Sequence, residues 1–503
     1  MKKAVVPSPK FHRLAVTVLA LLVSGMALAT DNPSNAVIAQ YMRATKAGAG
    51  TPTPAPADPY PLMAAGWGTE LGGGFMASRW AEDWSGMGTS GAVPPLKTIL
   101  LGNRSSLTLS AEARFRYVAA RNVRLQPSDD LAQGQLRAVL GADLRVNPNL
   151  RFYGELGSGQ VNDDRDTATA NFQNALSLQQ LFVDVRGHAG GFLVGMMAGR
   201  QEFADGPRQL ISLSDGPNLH RTWNGVRLYA NGSRYRFSAF DFRATRLGRN
   251  GFDEEISQGE RLRGVSASFI VTPGAGPNTY LDPFWIHSDN PFLRLGGVAG
   301  IDNRDTVGAR LWGRRGKVGF DWTVARQSGN SINECRIEAW GLFAIQSLEL
   351  SDSGWKPRLT SHVDMATGGG AYATGEIRDF NPLYASSNYL GEGQFLGLTN
   401  LLLVAPGISI TPSAGTTLSL EYGYALRMDT SDAAFGAGMR PFPGTEHVAG
   451  RHIGNLSRVN IAWAPRASVA VNFSLEYLDP GRVLKSANLP SGSHAYLGTT
   501  YRY

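Results

Sequence analysis

The stretch Leu107–Tyr117 reads LTLSAEARFRY, and its alternation decides the fold. Odd positions carry Leu, Leu, Ala, Ala, Phe and Tyr; even positions carry Thr, Ser, Glu, Arg and Arg. Successive side chains of a strand point to opposite faces, so this is a strand with one apolar and one charged face. The texture recurs on either side of it. Leu136–Val146 sets Leu136, Ala138, Leu140, Ala142, Leu144 and Val146 against Arg137, Asp143 and Arg145. Val307–Arg314, Val318–Gln327 and Leu418–Arg427 repeat the pattern. Two segments depart from it: Phe192–Ala198 is apolar on both faces, and Leu401–Ala405 is a continuous apolar run.

After Lys97, about 18 such segments follow one another, starting near residues 104, 131, 149, 176, 190, 220, 234, 260, 279, 304, 316, 333, 356, 397, 415, 451, 467 and 494. Tight connections such as Asn147-Pro148-Asn149 and Arg315-Gly316 alternate with long ones such as Gly368–Gly397 and Thr430–Gly450. A soluble sandwich would also alternate, but further features favour a membrane. The apolar faces end in aromatics at Phe115, Tyr117, Trp463 and Tyr477, as an interfacial girdle does. The opposite face carries charge in nearly every segment. The last segment, Ala495-Leu497-Thr499-Tyr501-Tyr503, resembles the aromatic-ended strand read by the bacterial outer-membrane insertion machinery. The reading is all-β: a transmembrane antiparallel β-barrel of about 18 strands over residues 104–503, in a Gram-negative outer membrane.

Composition agrees. Of 503 residues, Lys+Arg make 48 and Asp+Glu 41, and 40 of the positives are Arg against 8 Lys. The single cysteine, Cys335, excludes an internal disulfide framework, a Cys-based zinc site and a CxxC centre. Residues 1–29 read as a signal peptide: Lys2, Lys3, Lys10 and Arg13 precede the apolar Leu14–Met26, and Ala27-Leu28-Ala29 predicts cleavage after Ala29. Its removal leaves a net charge of +3, too little to suggest nucleic acid. Residues 30–103 read as an extended, irregular N-terminal periplasmic segment, containing TPTPAPADPYP at Thr51–Pro61. Enzyme motifs are missing: there is no GxSxG, HExxH or P-loop, and the eight His are scattered. No catalytic residue, metal ligand or cofactor is assigned.

Several stretches together resemble the alginate-export family of outer-membrane barrels. They are Arg79-Trp80-Ala81-Glu82-Asp83-Trp84, Ala111–Tyr117, Gly199-Arg200-Gln201-Glu202, Asp215-Gly216-Pro217-Asn218 and Trp223-Asn224-Gly225. Leu426-Arg427 followed by Asp432, Gly454, and Asp479-Pro480-Gly481 complete the set over residues 79–503. The resemblance implies an 18-stranded barrel and a passive conduit for an anionic polysaccharide through an Arg-rich constriction. It also implies work beside a periplasmic synthesis complex. One departure stands out: in Leu176–Gly187, where the family's best-known member carries a lumenal Arg, this chain has Gln179 or Gln180.

The candidate pore-lining residues are Arg114, Arg116, Arg137, Arg200, Arg227, Arg310, Arg314 and Arg427, with Arg200 and Arg427 foremost because they fall in family-like motifs. Guanidinium forks bind carboxylates in two-point fashion and stay charged, which suits carboxylated sugars. The plain alternative for each is bracing of the wall against acids such as Glu112, Asp143, Glu202 and Glu421. Trp223, Trp312 and Trp340 are expected inward, as sugar-stacking planes or as packing. The expected protein is a monomeric channel in outer-membrane lipid for an anionic polysaccharide or related acidic solute. The competing reading is an uptake porin for small anionic or hydrophobic nutrients. A non-transporting structural barrel ranks last, on the ground that a filled lumen would not need so many Arg.

Overall fold

A strand in lipid has no water to satisfy its backbone, so only a sheet closed on itself leaves no unpaired edge. The chain solves this with 18 long strands in one closed antiparallel barrel. The computed structural model describes residues 72–85, 94–162, 168–204, 209–271, 278–295, 298–370, 375–386 and 389–503. The expected signal peptide and the TPTPAPADPYP stretch lie outside them.

The wall starts with β1 (Ser106–Arg121), β2 (Leu131–Asn147), β3 (Leu150–Asn162), β4 (Asn174–Ala189), β5 (Phe192–Glu202) and β6 (Thr222–Asn231). It continues through β7 (Tyr235–Arg246), β8 (Glu255–Ile270), β9 (Thr279–Leu295), β10 (Val298–Arg315), β11 (Val318–Ser331) and β12 (Cys335–Glu349). Then come β13 (Arg358–Ala366), β14 (Leu401–Ser413), β15 (Thr416–Leu426), β16 (His452–Arg466), β17 (Val469–Pro480) and β18 (Gly492–Arg502). Closure is by β18 on β1, with Thr499 opposite Phe115 and Tyr501 opposite Ala113. Tight connections at 148–149, 190–191, 316–317, 414–415 and 467–468 share one rim with Ser106 and Arg502. The long connections 203–221, 367–400 and 427–451 lie on the other rim.

The alternation runs inside out relative to a soluble protein. In β1, Ser110, Glu112, Arg114, Arg116 and Val118 are buried, whereas Phe115 and Tyr117 are 46% and 51% exposed. Leu140, Leu181, Val307, Leu420 and Leu497 are likewise more than half exposed on the outer face. So continuous an apolar surface belongs in lipid rather than water. Trp340 is corrected here: it is 41% exposed and points outward, joining Trp322 and Trp463 on that face.

The interior is filled. Leu210, Ile211, Phe380, Phe395, Leu396, Leu398, Phe435 and Phe442, all from the long connections, are nearly fully buried. All of these but Phe435 pack with inward wall residues such as Phe242, Phe343, Leu403, Leu456 and Leu478 into one apolar core inside the barrel. This explains the two segments that broke the alternation. Leu401, Leu403 and Ala405 face that core, and Met197 of β5 packs with Trp80, Tyr153 and Phe182. Residues 72–85, expected outside the barrel, enter it from the tight-turn rim. Met76, Trp80, Ala81 and Trp84 are buried there because this short stretch has no other apolar surface to pack on.

Candidate functional site

Three arginines stand close together on adjoining wall strands. Arg114 and Arg137 are directly opposite on β1 and β2, and Arg116 is the next inward position on β1. All are buried. Across the closure seam, Gly498 faces Arg116, and a Cβ there would lie 3.2 Å from the Arg116 side chain. The bare glycine leaves the Arg116 guanidinium free to lie over the Tyr496 ring, 4.7 Å from its centroid. These residues and Arg502 line a lumenal cavity whose other walls include Asp215, His220 and Phe75–Ala77. Past Arg137 and His220 lies a smaller space, rich in acids: Glu112, Glu155 and Glu202 beside Arg79.

Segments inserted from both rims complete the site. The loop 209–221 is clasped by the three arginines. Asp215 Oδ1 accepts from Arg114 at 2.9 Å and from Arg137 at 2.7 Å, and the Gly216 carbonyl accepts from Arg116 at 2.9 Å. The Pro217 carbonyl accepts a further bond from Arg114. Asn218 ties the loop to the carbonyls of Gln160 and Phe172 at 3.0 and 2.7 Å. His220 bridges Glu202 through Nδ1 and Asp215 through Nε2, so each ring nitrogen faces a carboxylate and the imidazolium form is favoured. Burial opposes that charge, but Glu202 and the bond to Asp215 outweigh burial and the neighbouring Arg137, raising the His220 pKa to about 9. Asp215 is held well below the usual carboxylate range: Arg137, Arg114 and His220 overcome its burial.

From the loop 367–400, Glu476 of β17 accepts bonds from the Glu392 and Gly393 amides at 2.7 and 2.8 Å. A side chain at Gly391, φ +127°, would strike that carboxylate at 2.6 Å. The turn so formed holds the Glu392 carboxylate 3.6 Å from Arg116. At the tight-turn mouth, Asp83 pairs with Arg145 at 2.8 Å, Glu82 with Lys97 at 3.2 Å, and Arg79 with Glu112 at 3.1 Å.

The alginate export family profile matches residues 103–496, well over half of the chain. The chain belongs to the alginate export family. It is therefore an outer-membrane channel of that family, and its structural likeness is to porins. OpdK from Pseudomonas aeruginosa superposes with a TM-score of 0.53 at 12% identity, over 78% of this chain and 98% of that one. OpdK has also been solved with vanillate, at 13% identity and the same coverage and TM-score. OccK2 (OpdF) of the same organism, solved in complex with glucuronate, gives 0.51 at 11% identity, over 79% and 96%. A BenF-like porin from Pseudomonas fluorescens Pf-5 gives 0.53 at 10%, over 79% and 98%. At such identities the likeness is one of fold. No curated protein matches the chain.

Of the eight arginines picked out in this family member, Arg114, Arg116 and Arg137 come together at the large cavity. Arg227 and Arg310 also face inward but away from it. Arg227 lies over the Phe203 ring at 5.1 Å, and Arg310 grips Asp321 at both oxygens, 2.7 and 2.6 Å. Arg314 stands at the tight-turn rim beside Glu349. Arg427, a foremost candidate, is buried among loop carbonyls and donates to Asp432 and Thr445 at 2.7 Å and to Val448 at 2.6 Å. It staples the connection 427–451. Arg200, the other, is opposite Leu181, which is 55% exposed, and so lies on the outer face, bonded to Asn224 and paired with Glu254. Because Phe192–Ala198 is apolar on both faces, the sequence alone does not say which face is outer there; the 39% exposed Met196, an even number of residues from Arg200, marks the outer one. Gln179 and Gln180 are both buried, because the register of β4 shifts beside Glu155. Arg502, Tyr496, His220 and Glu392 were not foreseen. Asp215 lay in the quoted Asp-Gly-Pro-Asn motif, but nothing local marks Glu392 beyond its flanking glycines. The argument that a filled lumen needs few Arg also fails: much of this Arg set holds the filling in place.

Proposed function

We propose that this protein is a selective conduit for carboxylated sugars and related acidic solutes, with Arg114, Arg116 and Arg137 as its selecting cations. One observation carries the reading: the lumenal cavity is lined by four Arg and one acid, Asp215. Charges in a narrow, partly dry lumen act far more strongly than in bulk water, so a small local excess of guanidinium can select anions. The ligands of two fold neighbours, vanillate and glucuronate, are both carboxylates, which supports the same class here. Family membership favours export of an anionic polysaccharide, fed by a periplasmic synthesis complex. A second reading, uptake of a small acidic solute, is favoured by the porin fold neighbours solved with the small carboxylates vanillate and glucuronate.

Planar-bilayer recordings test both. Reversal potentials in a salt gradient should show anion preference that falls in Arg137→Gln. A cation-selective wild-type channel would overturn the proposal. Block by oligogalacturonate at lower concentration than by monomeric glucuronate favours the polymer; the reverse order favours the small solute. We also read residues 1–29 as a signal cleaved after Ala29, which N-terminal sequencing of the outer-membrane form checks.

A further inference from the structure

The ion pairs inside the barrel fall into two kinds. In the first, acid and base sit on neighbouring wall strands: Arg310 with Asp321 on β10 and β11, and Arg458 with Glu421 on β16 and β15. Such pairs brace the wall and persist whatever occupies the lumen. In the second, the base belongs to the wall and the acid arrives on an inserted segment. Asp215 of the loop 209–221 sits on Arg114 and on Arg137, which Glu112 of β1 also braces, and Glu392 of the loop 367–400 sits on Arg116. Asp83 of the segment 72–85 sits on Arg145 in the same manner.

We propose that Asp215 and Glu392 are built-in stand-ins for the carboxylates of a bound acidic saccharide, so that Arg114/Arg137 and Arg116 form two adjacent carboxylate subsites that the chain itself occupies at rest. This rests on the anion reading above and assigns its binding positions. Asp215 is the accessible half of its pair. Its side chain is 35% exposed, whereas those of Arg114 and Arg137 are 4% and 5%, so a ligand arriving through the cavity reaches the acid's position first. The two subsites are one inward step apart on β1, about 7 Å along a strand, a span that neighbouring carboxylated rings of one oligosaccharide can bridge. Each acid is also held in place by contacts that a ligand would not disturb: Asn218 anchors the first loop, and the Gly391–Gly393 turn on Glu476 anchors the second. Exchange replaces one carboxylate by another on the same guanidinium. No arginine is left buried and bare, which is the costly alternative. Ligand binding and displacement of the resident carboxylate from its arginine are thereby the same event.

The test is block of the open-channel current by oligogalacturonate, with a maltooligosaccharide of equal length as the uncharged control. Asp215→Asn removes the competitor but keeps the shape, and should lower the half-blocking concentration of oligogalacturonate by about tenfold or more. Glu392→Gln should lower it by about threefold, since its pair is longer and weaker. Maltooligosaccharide block should stay the same in both. An unchanged or raised half-blocking concentration in Asp215→Asn, with block still abolished by Arg137→Gln, would overturn the inference and leave the anion reading intact. Block that survives Arg137→Gln would overturn the anion reading itself. Heat-modifiable gel migration reports whether each barrel is folded. Should Asp215→Asn fail that check, Glu392→Gln decides by the same criteria.

Discussion

The two mouths of the barrel are closed by opposite chemistry. At the tight-turn rim the stopper is residues 72–85, held by ion pairs from Arg79, Glu82 and Asp83 to Glu112, Lys97 and Arg145. At the long-loop rim the filling is an apolar core of Phe380, Phe395, Leu398 and Phe442 against wall residues. An ion pair can be exchanged for another ion pair, and a charged solute offers one. An apolar core offers an anion nothing, so it acts as structure until the loops themselves open. The contrast suggests that solute acts on the tight-turn and middle part of the lumen, while the long-loop half sets the resting closure.

The largest effect should come from putting charge where the apolar closure is. Phe395 is 3% exposed and packs against Gly492 of β18 so closely that a Cβ on that glycine would lie 2.3 Å from its ring. Phe395→Asp buries an unpaired carboxylate, a change that typically costs about 3–5 kcal/mol. The connection 367–400 should detach, seen as new protease cleavage within it and a severalfold rise in conductance, with the barrel wall still heat-modifiable. A tightly closed, protease-resistant variant would show that the apolar core is not what shuts this mouth.

Next comes the ion-paired closure. The Lys97 ammonium is fully buried between Glu82 and the rings of Trp84, Phe75 and Tyr503, at 5.0, 5.7 and 5.7 Å. Burial outweighs Glu82 and lowers its pKa. Lys97→Met leaves Glu82 short of a partner and should loosen residues 72–85. In a Cys335→Ser background, a cysteine placed at Ala81, which is 1% exposed, should then react with a thiol reagent about tenfold faster. Equal rates would mean that Trp80 packing alone seats the segment.

A smaller effect is expected from pH. The His220 pKa is raised to about 9, so its contribution to anchoring the loop is fully present below its ordinary value near 6.5 and is lost as pH rises through 9. The charged groups facing it are Glu202, Asp215 and Arg137, with Glu112 and Glu155 across the smaller space. Open-channel noise from the loop 209–221 should therefore stay low at pH 6 and grow by about twofold past pH 9. His220→Gln should remove that dependence. A wild-type response centred near pH 6.5 would place the imidazole outside this network.

The wall was legible in sequence and the contents of the lumen were not. Every one of the 18 strands begins within six residues of its expected start, because lipid on one side and polar groups on the other force strict alternation. Residues 72–85 show no period in the sequence, and have none to show: they form a stopper shaped by the cavity they fill. The doubly apolar Phe192–Ala198 and Leu401–Ala405 were the available hints of apolar filling. Placing Arg114, Arg116 and Arg137 at the cavity needed only the alternation of β1 and β2, which are regular there. Arg200 and Arg427 were favoured by motif, and motifs mark residues that the fold needs as readily as residues that meet a solute.

That distinction yields the smallest expected effect. Arg200 bonds Asn224 at 2.9 Å and the Leu178 carbonyl at 2.8 Å, and pairs with Glu254 at 3.1 Å, all on the outer side of the wall near the long-loop rim. Between it and the lumen stands the sheet itself, so its charge is shielded from the cavity by the wall and by Glu254. Arg200→Gln should weaken the tie to Glu254 and leave the reversal potential unchanged, whereas Arg137→Gln shifts it. The two substitutions remove the same charge from neighbouring parts of one barrel and differ only in the face they occupy. If Arg200→Gln shifts selectivity as far as Arg137→Gln, then selection happens at the loop-bearing rim and the cavity beside Arg114, Arg116 and Arg137 is not the selecting site.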